Sequence, residues 1–180
     1  MIWDDYQNKC IAELEFRSEV KSVRLRKDRI VVALEQKVYV YNFADLQLIH
    51  HIETIQNPTG ILALSPSESN TVLACPGMKP GYVHVELYDR KQSVMIPAHE
   101  NPLQLLALNL DGTLLATASE KGTLIRVFDT LTGNHLREVR RGADRAVIQS
   151  IAFSPNSKLL VCSSDKGTVH VYSVDGSATG

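Results

Sequence analysis

Three segments of the chain overlay on one another at steps of 44 and 45 residues, and no other feature narrows the possible folds so far. ILALSPSESNTVLACPGMKPGYVHVELYD starts at Ile61, LLALNLDGTLLATASEKGTLIRVFDTLTG at Leu105 and SIAFSPNSKLLVCSSDKGTVHVYSVDG at Ser150, with Ala63, Ala107 and Ala152 in register. In each, a short apolar strand meets a turn (SPSES, NLDG, SPNS) and a second strand runs into small residues. A glycine turn follows, and a third, alternating strand ends in an aromatic residue. A fainter copy, VKSVRLRKDRIVVALEQKVYVYNFAD, starts near Val20, with a hairpin turn at Arg26-Lys27-Asp28 and Tyr41 and Phe43 closing it.

Apolar residues alternate with the period of a strand, and turns containing Pro, Gly, Asn or Asp interrupt roughly every 8 to 12 residues. Units of about 40 to 45 residues built this way mark the four-stranded blades of a WD40-type β-propeller. Phe128-Asp129 stands where such a blade often carries Trp-Asp. The chain therefore reads as all-β. Met1 to about Phe16 reads as the end of a blade, with IWDDYQ and KCIAELEF as its last two strands. Blades are expected at 17–56, 57–98 and 99–142, and an incomplete blade and tail at 143–180. Residues 1–180 thus form a single partial β-propeller of about four blades, where closed rings hold about 4 to 8. A closed four-bladed ring is the alternative. An open arc is expected to leave apolar blade faces bare at its two ends.

Lys and Arg total 19 against 20 Asp and Glu, so any anion site must be local rather than a property of the whole surface. Cys10, Cys75 and Cys162 are odd in number and far apart, which predicts neither a disulfide framework nor a thiolate metal site. No apolar run approaches the roughly 20 residues that span a bilayer. The start, MIWDD, lacks the features of a signal peptide. A soluble, cytoplasmic protein is expected, without cofactor or metal.

The residues resemble the PROPPIN (WIPI-type) family, WD40 β-propellers of about seven blades that bind phosphoinositides and act in autophagy. The resemblance rests on PAHE (Pro97 to Glu100), LNLDGTLLATASEKGTLIRVFDT (Leu108 to Thr130), Arg140-Arg141-Gly142 and SSDKGTVHVY (Ser163 to Tyr172). It extends to MIWDD and LRKDRIVVALEQKVYVY, so it covers essentially the whole chain. Two departures stand out. Val139 occupies the place usually held by Phe or Leu before Arg-Arg-Gly, where its apolar side chain should still plug the blade core. The end, SVDGSATG, stops where the family carries a long loop that inserts into the bilayer.

LREVRRGADRA sets two arginines side by side. Successive side chains of a strand point to opposite faces, so Arg140 and Arg141 should serve two places, with Gly142 supplying a permissive backbone at the turn. Backward lie Ser119, Lys121, Thr123, Arg126 and His99; forward lie Arg145, Ser163, Ser164, Lys166, Thr168 and His170. Guanidinium groups bind phosphate oxygens bidentately while hydroxyls take the remaining acceptors, the donor set that a phosphorylated inositol needs. A Ser-x-x-Gly-Thr pattern, Ser119 to Thr123 and Ser164 to Thr168, repeats on both sides. Ser163 and Ser164 equally fit plain turn hydrogen bonding, and His99 and His170 fit a role in tying strands to loops. The resemblance implies one headgroup site on either side of the motif. Its ligands would be phosphatidylinositol 3-phosphate and phosphatidylinositol 3,5-bisphosphate.

The resemblance also implies peripheral attachment to autophagosome precursor, endosomal or vacuolar membranes, and partners that include an autophagy lipid-transfer protein and other autophagy proteins. No catalytic motif is present, so an enzyme is not expected. Nucleic-acid binding is not expected either, because the basic residues from Lys121 to Arg145 are interleaved with Glu120, Asp129, Glu138 and Asp144 and lack stacking aromatics. The alternative function is a WD40 protein–protein interaction scaffold without lipid binding.

Overall fold

Alternating apolar strands separated by turn residues must pair with their neighbours in sequence, and the computed structural model, which describes residues 1–175, shows that pairing throughout. β1 (Ile2–Asp4) and β2 (Lys9–Ala12) form a two-stranded hairpin. A first full sheet follows, with strands β3 (Ser22–Arg26), β4 (Arg29–Ala33), β5 (Lys37–Asn42) and β6 (Leu48–Glu53). The second comprises β7 (Ala63–Leu64), β8 (Val72–Pro76), β9 (Tyr82–Leu87) and β10 (Gln92–Pro97). The third comprises β11 (Leu103–Leu108), β12 (Leu114–Ser119), β13 (Leu124–Asp129) and β14 (His135–Arg140). A three-stranded sheet of β15 (Ile148–Phe153), β16 (Leu159–Ser164) and β17 (Val169–Ser173) ends the described residues. All pairs are antiparallel meanders, and among the described residues helix is limited to one 3₁₀ turn at Tyr88–Arg90. The last residues of the expected tail, 176–180, lie outside the described residues.

The sheets stack face to face, and four apolar seams run between consecutive ones. Ile30, Val32 and Leu34 of the first sheet meet Ile2, Leu14 and Phe16. On its other side Val31, Val38 and Val40 meet Leu73 and Cys75 of the second sheet. Val83, Val85 and Ile96 meet Leu106, Leu115 and Phe128 of the third. Ile125 and Val139 meet Ile148, Leu160 and Cys162 of the last. The second strand of each full sheet is therefore buried on both faces, which accounts for the small side chains of ALA-type runs there: every residue of β8 is buried. The first strands β3, β7, β11 and β15 lie next to one another and form the inner edge of the arc.

The opening segment departs from its expected strands. β1 stops at Asp4, whose carboxylate accepts the Tyr6 and Gln7 amides in a turn, and β2 stops at Ala12, beyond which Leu14 and Phe16 pack onto the first sheet. Val139 is buried in the last seam, as the sequence suggested for an apolar residue ahead of the two arginines.

Candidate functional site

β14 is the outer strand of the third sheet, and its register against β13 fixes where the paired arginines point. Arg140 lies opposite Leu124, Val139 opposite Ile125 and Glu138 opposite Arg126, while Thr117 of β12 lies opposite Arg126. Cross-strand partners share a face, so Arg140, Glu138, Arg126, Thr117 and Ser119 lie on the face toward the second sheet. There the Arg126 guanidinium donates through Nε to Glu138 at 2.9 Å and through Nη1 to the Ala98 carbonyl at 2.7 Å. That hydrogen bond holds the Glu138 carboxyl below the usual carboxylate range. His99 is buried with Nε2 at 2.9 Å from Thr117 Oγ1, and its pKa is pushed down to about 4, first by burial and then by Arg126. Ser119 and Thr123 are buried, Lys121 is exposed, and the exposed Arg140 side chain makes no hydrogen bond among the described residues.

Arg141 turns the other way. Its amide donates to the Thr123 carbonyl at 2.9 Å, its Nε to the Gly122 carbonyl at 2.7 Å, and its Nη2 to the Asp144 carbonyl. Two of five guanidinium donors are engaged there, and the rest remain for a ligand. The charge is felt by Tyr172 and Cys162 of the last sheet, opposing the rise that burial imposes on both; the Tyr172 phenol still reaches about 12. Cys162 lies opposite His170 and Leu160 opposite Tyr172, so these residues and Ser164 form the face toward Arg141. Thr168 Oγ1 is 3.1 Å from His170 Nε2. Ser164 is buried, and its hydroxyl accepts the Lys166 amide at 3.3 Å, a turn contact. Ser163 lies opposite Val169, on the face away from Arg141, so the two serines do not converge. Arg145 and Lys166 are exposed and make no side-chain hydrogen bond among the described residues.

The glycine that the geometry requires is not Gly142. Nothing lies within 4 Å of a Cβ built there, and its φ is not positive. Gly122, at φ +69°, faces the Ala146 carbonyl, which an added Cβ would meet at 1.8 Å.

A family model described as PROPPIN matches residues 3–179. The chain belongs to the PROPPIN family. This PROPPIN chain is 48% identical over 173 residues to autophagy-related protein 18e of Arabidopsis thaliana, covering 95% of the chain and 46% of that relative. It is 42% identical over 170 residues to WD repeat domain phosphoinositide-interacting protein 1 of Xenopus laevis, covering 92% and 39%. Among solved structures, Kluyveromyces lactis Hsv2 superposes with a TM-score of 0.83 at 32% identity, covering 98% of the chain and 55% of that one. The chain spans about half the length of the curated relatives it matches.

Within this PROPPIN arc, Lys121, Arg140, Arg145 and Lys166 are exposed cationic side chains near the motif in sequence, with Arg140 on the face toward the second sheet and Arg141 turned the other way. Arg126 and His99 stand behind them already engaged, one by a carboxylate and the other by a hydroxyl. Such a rim can hold anions on either side of β14. Among the described residues no group of three or more His, Cys, Asp or Glu is placed to hold a metal ion. Among the described residues no helix is long and apolar enough to cross a membrane. Strand register gives Glu138 to Arg126 and not to the two neighbouring arginines. Thr117 and Tyr172 were not singled out. Thr117 could have been, because it lies two residues before Ser119 on the same face, whereas Tyr172 reaches the motif only through packing of one sheet on another.

Proposed function

We propose that the arginine-bearing rim binds phosphorylated inositol headgroups, those of phosphatidylinositol 3-phosphate and phosphatidylinositol 3,5-bisphosphate. On this reading the protein is a membrane-recruitment scaffold in autophagosome formation, a binding module rather than an enzyme. The observation that carries it is the divergence of Arg140 and Arg141 onto two faces of one strand, each beside further cations and hydroxyls. The names of the relatives, which speak of autophagy and phosphoinositide interaction, support it. Hydrogen bonds to charged groups contribute about 1.5 to 3 kcal/mol each before entropic costs, so each small open half-site alone binds weakly. Two half-sites on one rigid rim gain roughly 10²-fold or more by avidity against a membrane that presents many headgroups. The expected location is the cytoplasmic surface of autophagosome precursor, endosomal or vacuolar membranes. The expected partners are an autophagy lipid-transfer protein and other autophagy proteins.

Liposome flotation tests the reading. The folded chain should float with vesicles containing phosphatidylinositol 3-phosphate and stay behind with vesicles of unphosphorylated phosphatidylinositol. Arg140→Thr or Arg141→Thr should weaken flotation, and the double variant should nearly abolish it. Equal flotation of parent and double variant would sink the proposal.

A further inference from the structure

We infer that Tyr172 is a positioning residue for both arginines, anchoring from the neighbouring sheet the peptide carbonyl that separates Arg140 from Arg141. The inference rests on the headgroup reading above. Because the Arg141 amide points inward to Thr123, alternation along an antiparallel strand turns the Arg140 carbonyl outward, to the edge of β14 that has no strand beside it. Tyr172 Oη reaches across the seam and donates to that carbonyl at 3.2 Å. The same tyrosine ring lies parallel to the His170 imidazole, with centroids 6.1 Å apart and planes 6° from parallel. His170 in turn contacts Thr168.

One chain of contacts therefore joins the peptide between the two arginines to the imidazole and hydroxyl of the forward half-site. The third sheet holds this peptide through the Thr123 carbonyl and the Arg141 guanidinium through the Gly122 carbonyl, and the last sheet holds the peptide through Tyr172. A peptide fixed from both sides sets the directions in which Arg140 and Arg141 leave the backbone. Releasing one side lets it rotate, and both guanidinium groups lose their aim. Phenylalanine in place of Tyr172 would keep the ring, its stack on His170 and its packing in the seam, and would remove only the anchoring hydroxyl.

The test is Tyr172→Phe in the 180-residue chain. Binding is measured by flotation on phosphatidylinositol 3-phosphate vesicles and by calorimetric titration with inositol 1,3-bisphosphate in solution, which separates headgroup recognition from attraction to a lipid surface. Both affinities should fall about 3- to 10-fold, the scale of one hydrogen bond, and the melting temperature should barely move. The loss should persist in both the Arg140→Thr and the Arg141→Thr backgrounds, because the tyrosine serves both arginines. A loss that vanishes in either background overturns the two-sided role. A parent that binds and a Tyr172→Phe variant that binds equally overturn the positioning role and leave the lipid reading standing. A folded parent that ignores both probes overturns the lipid reading, and the inference with it.

Discussion

Protonation of His99 is opposed by its surroundings, and the consequence is a pH-dependent stability. Its folded pKa of about 4 lies below the roughly 6.5 of an unfolded chain, so the unfolded state binds the proton more readily. The stability tied to a neutral His99 is whole above about pH 6.5 and is lost as pH falls from there toward 4. On the order of 3 kcal/mol is at stake over that window. Thermal unfolding followed between pH 7 and 4 should show a steeper loss for the parent than for His99→Gln; parallel profiles would refute it. Neutral near pH 7, His99 brings no charge to a phosphate and at most one N–H. A second contrast belongs to the same scale. Gly122→Ala puts a methyl against the Ala146 carbonyl at a positive φ and should cost about 2 kcal/mol or more, whereas Gly142→Ala meets nothing and should leave the unfolding midpoint in denaturant within error.

Among the strands, the repeated grammar predicted which segments pair, but the seams decide what each strand contributes. β12 and β16 carry the same Ser-x-x-Gly-Thr turn after them, yet Thr123 is buried between sheets and Thr168 is exposed. Gly122 presses on Ala146 in the loop that leads into the last sheet, and Gly167 on nothing. Identical local sequence thus makes different donors available on the two sides of β14. Ile148 is fully buried where β15 faces the third sheet, so Ile148→Ala should cost about 2 to 5 kcal/mol in chemical denaturation. Because it would loosen the seam that Tyr172 crosses, it should also weaken vesicle binding; an unchanged affinity of the folded protein would separate the seam from the site. The strand alternation that sends Arg140 and Arg141 apart was legible in the sequence. The assignment of Glu138 to Arg126 was not, because it depends on the register of β13 against β14.

Over the whole molecule, apolar side chains stay exposed at both ends of the described residues, on the face of the first sheet that the opening segment covers only in part and on the outer face of the last sheet. Val23 and Leu25 are exposed on one side, and Val169 and Val171, at 68% and 58%, on the other. Both valines alternate on the outer face of β17, itself the last strand of its sheet. Such surfaces associate in water, so the chain should show concentration-dependent self-association by light scattering. Val169→Thr plus Val171→Thr should reduce it, and a double variant that associates as strongly as the parent would place the contact elsewhere.

By itself the sequence determined an all-β chain of repeated blades, the glycine turns shared by the repeats, and the divergence of Arg140 from Arg141. All three follow from periodicity and from the alternating geometry of an extended backbone, which are local properties. Only the tertiary structure decided that Arg126 is held by Glu138, that Ser163 turns away from Arg141, that Gly122 rather than Gly142 is the constrained glycine, and that Tyr172 reaches the carbonyl between the arginines. Those outcomes depend on how one sheet's register and packing bring it against the next, and no repeat within a single strand records that.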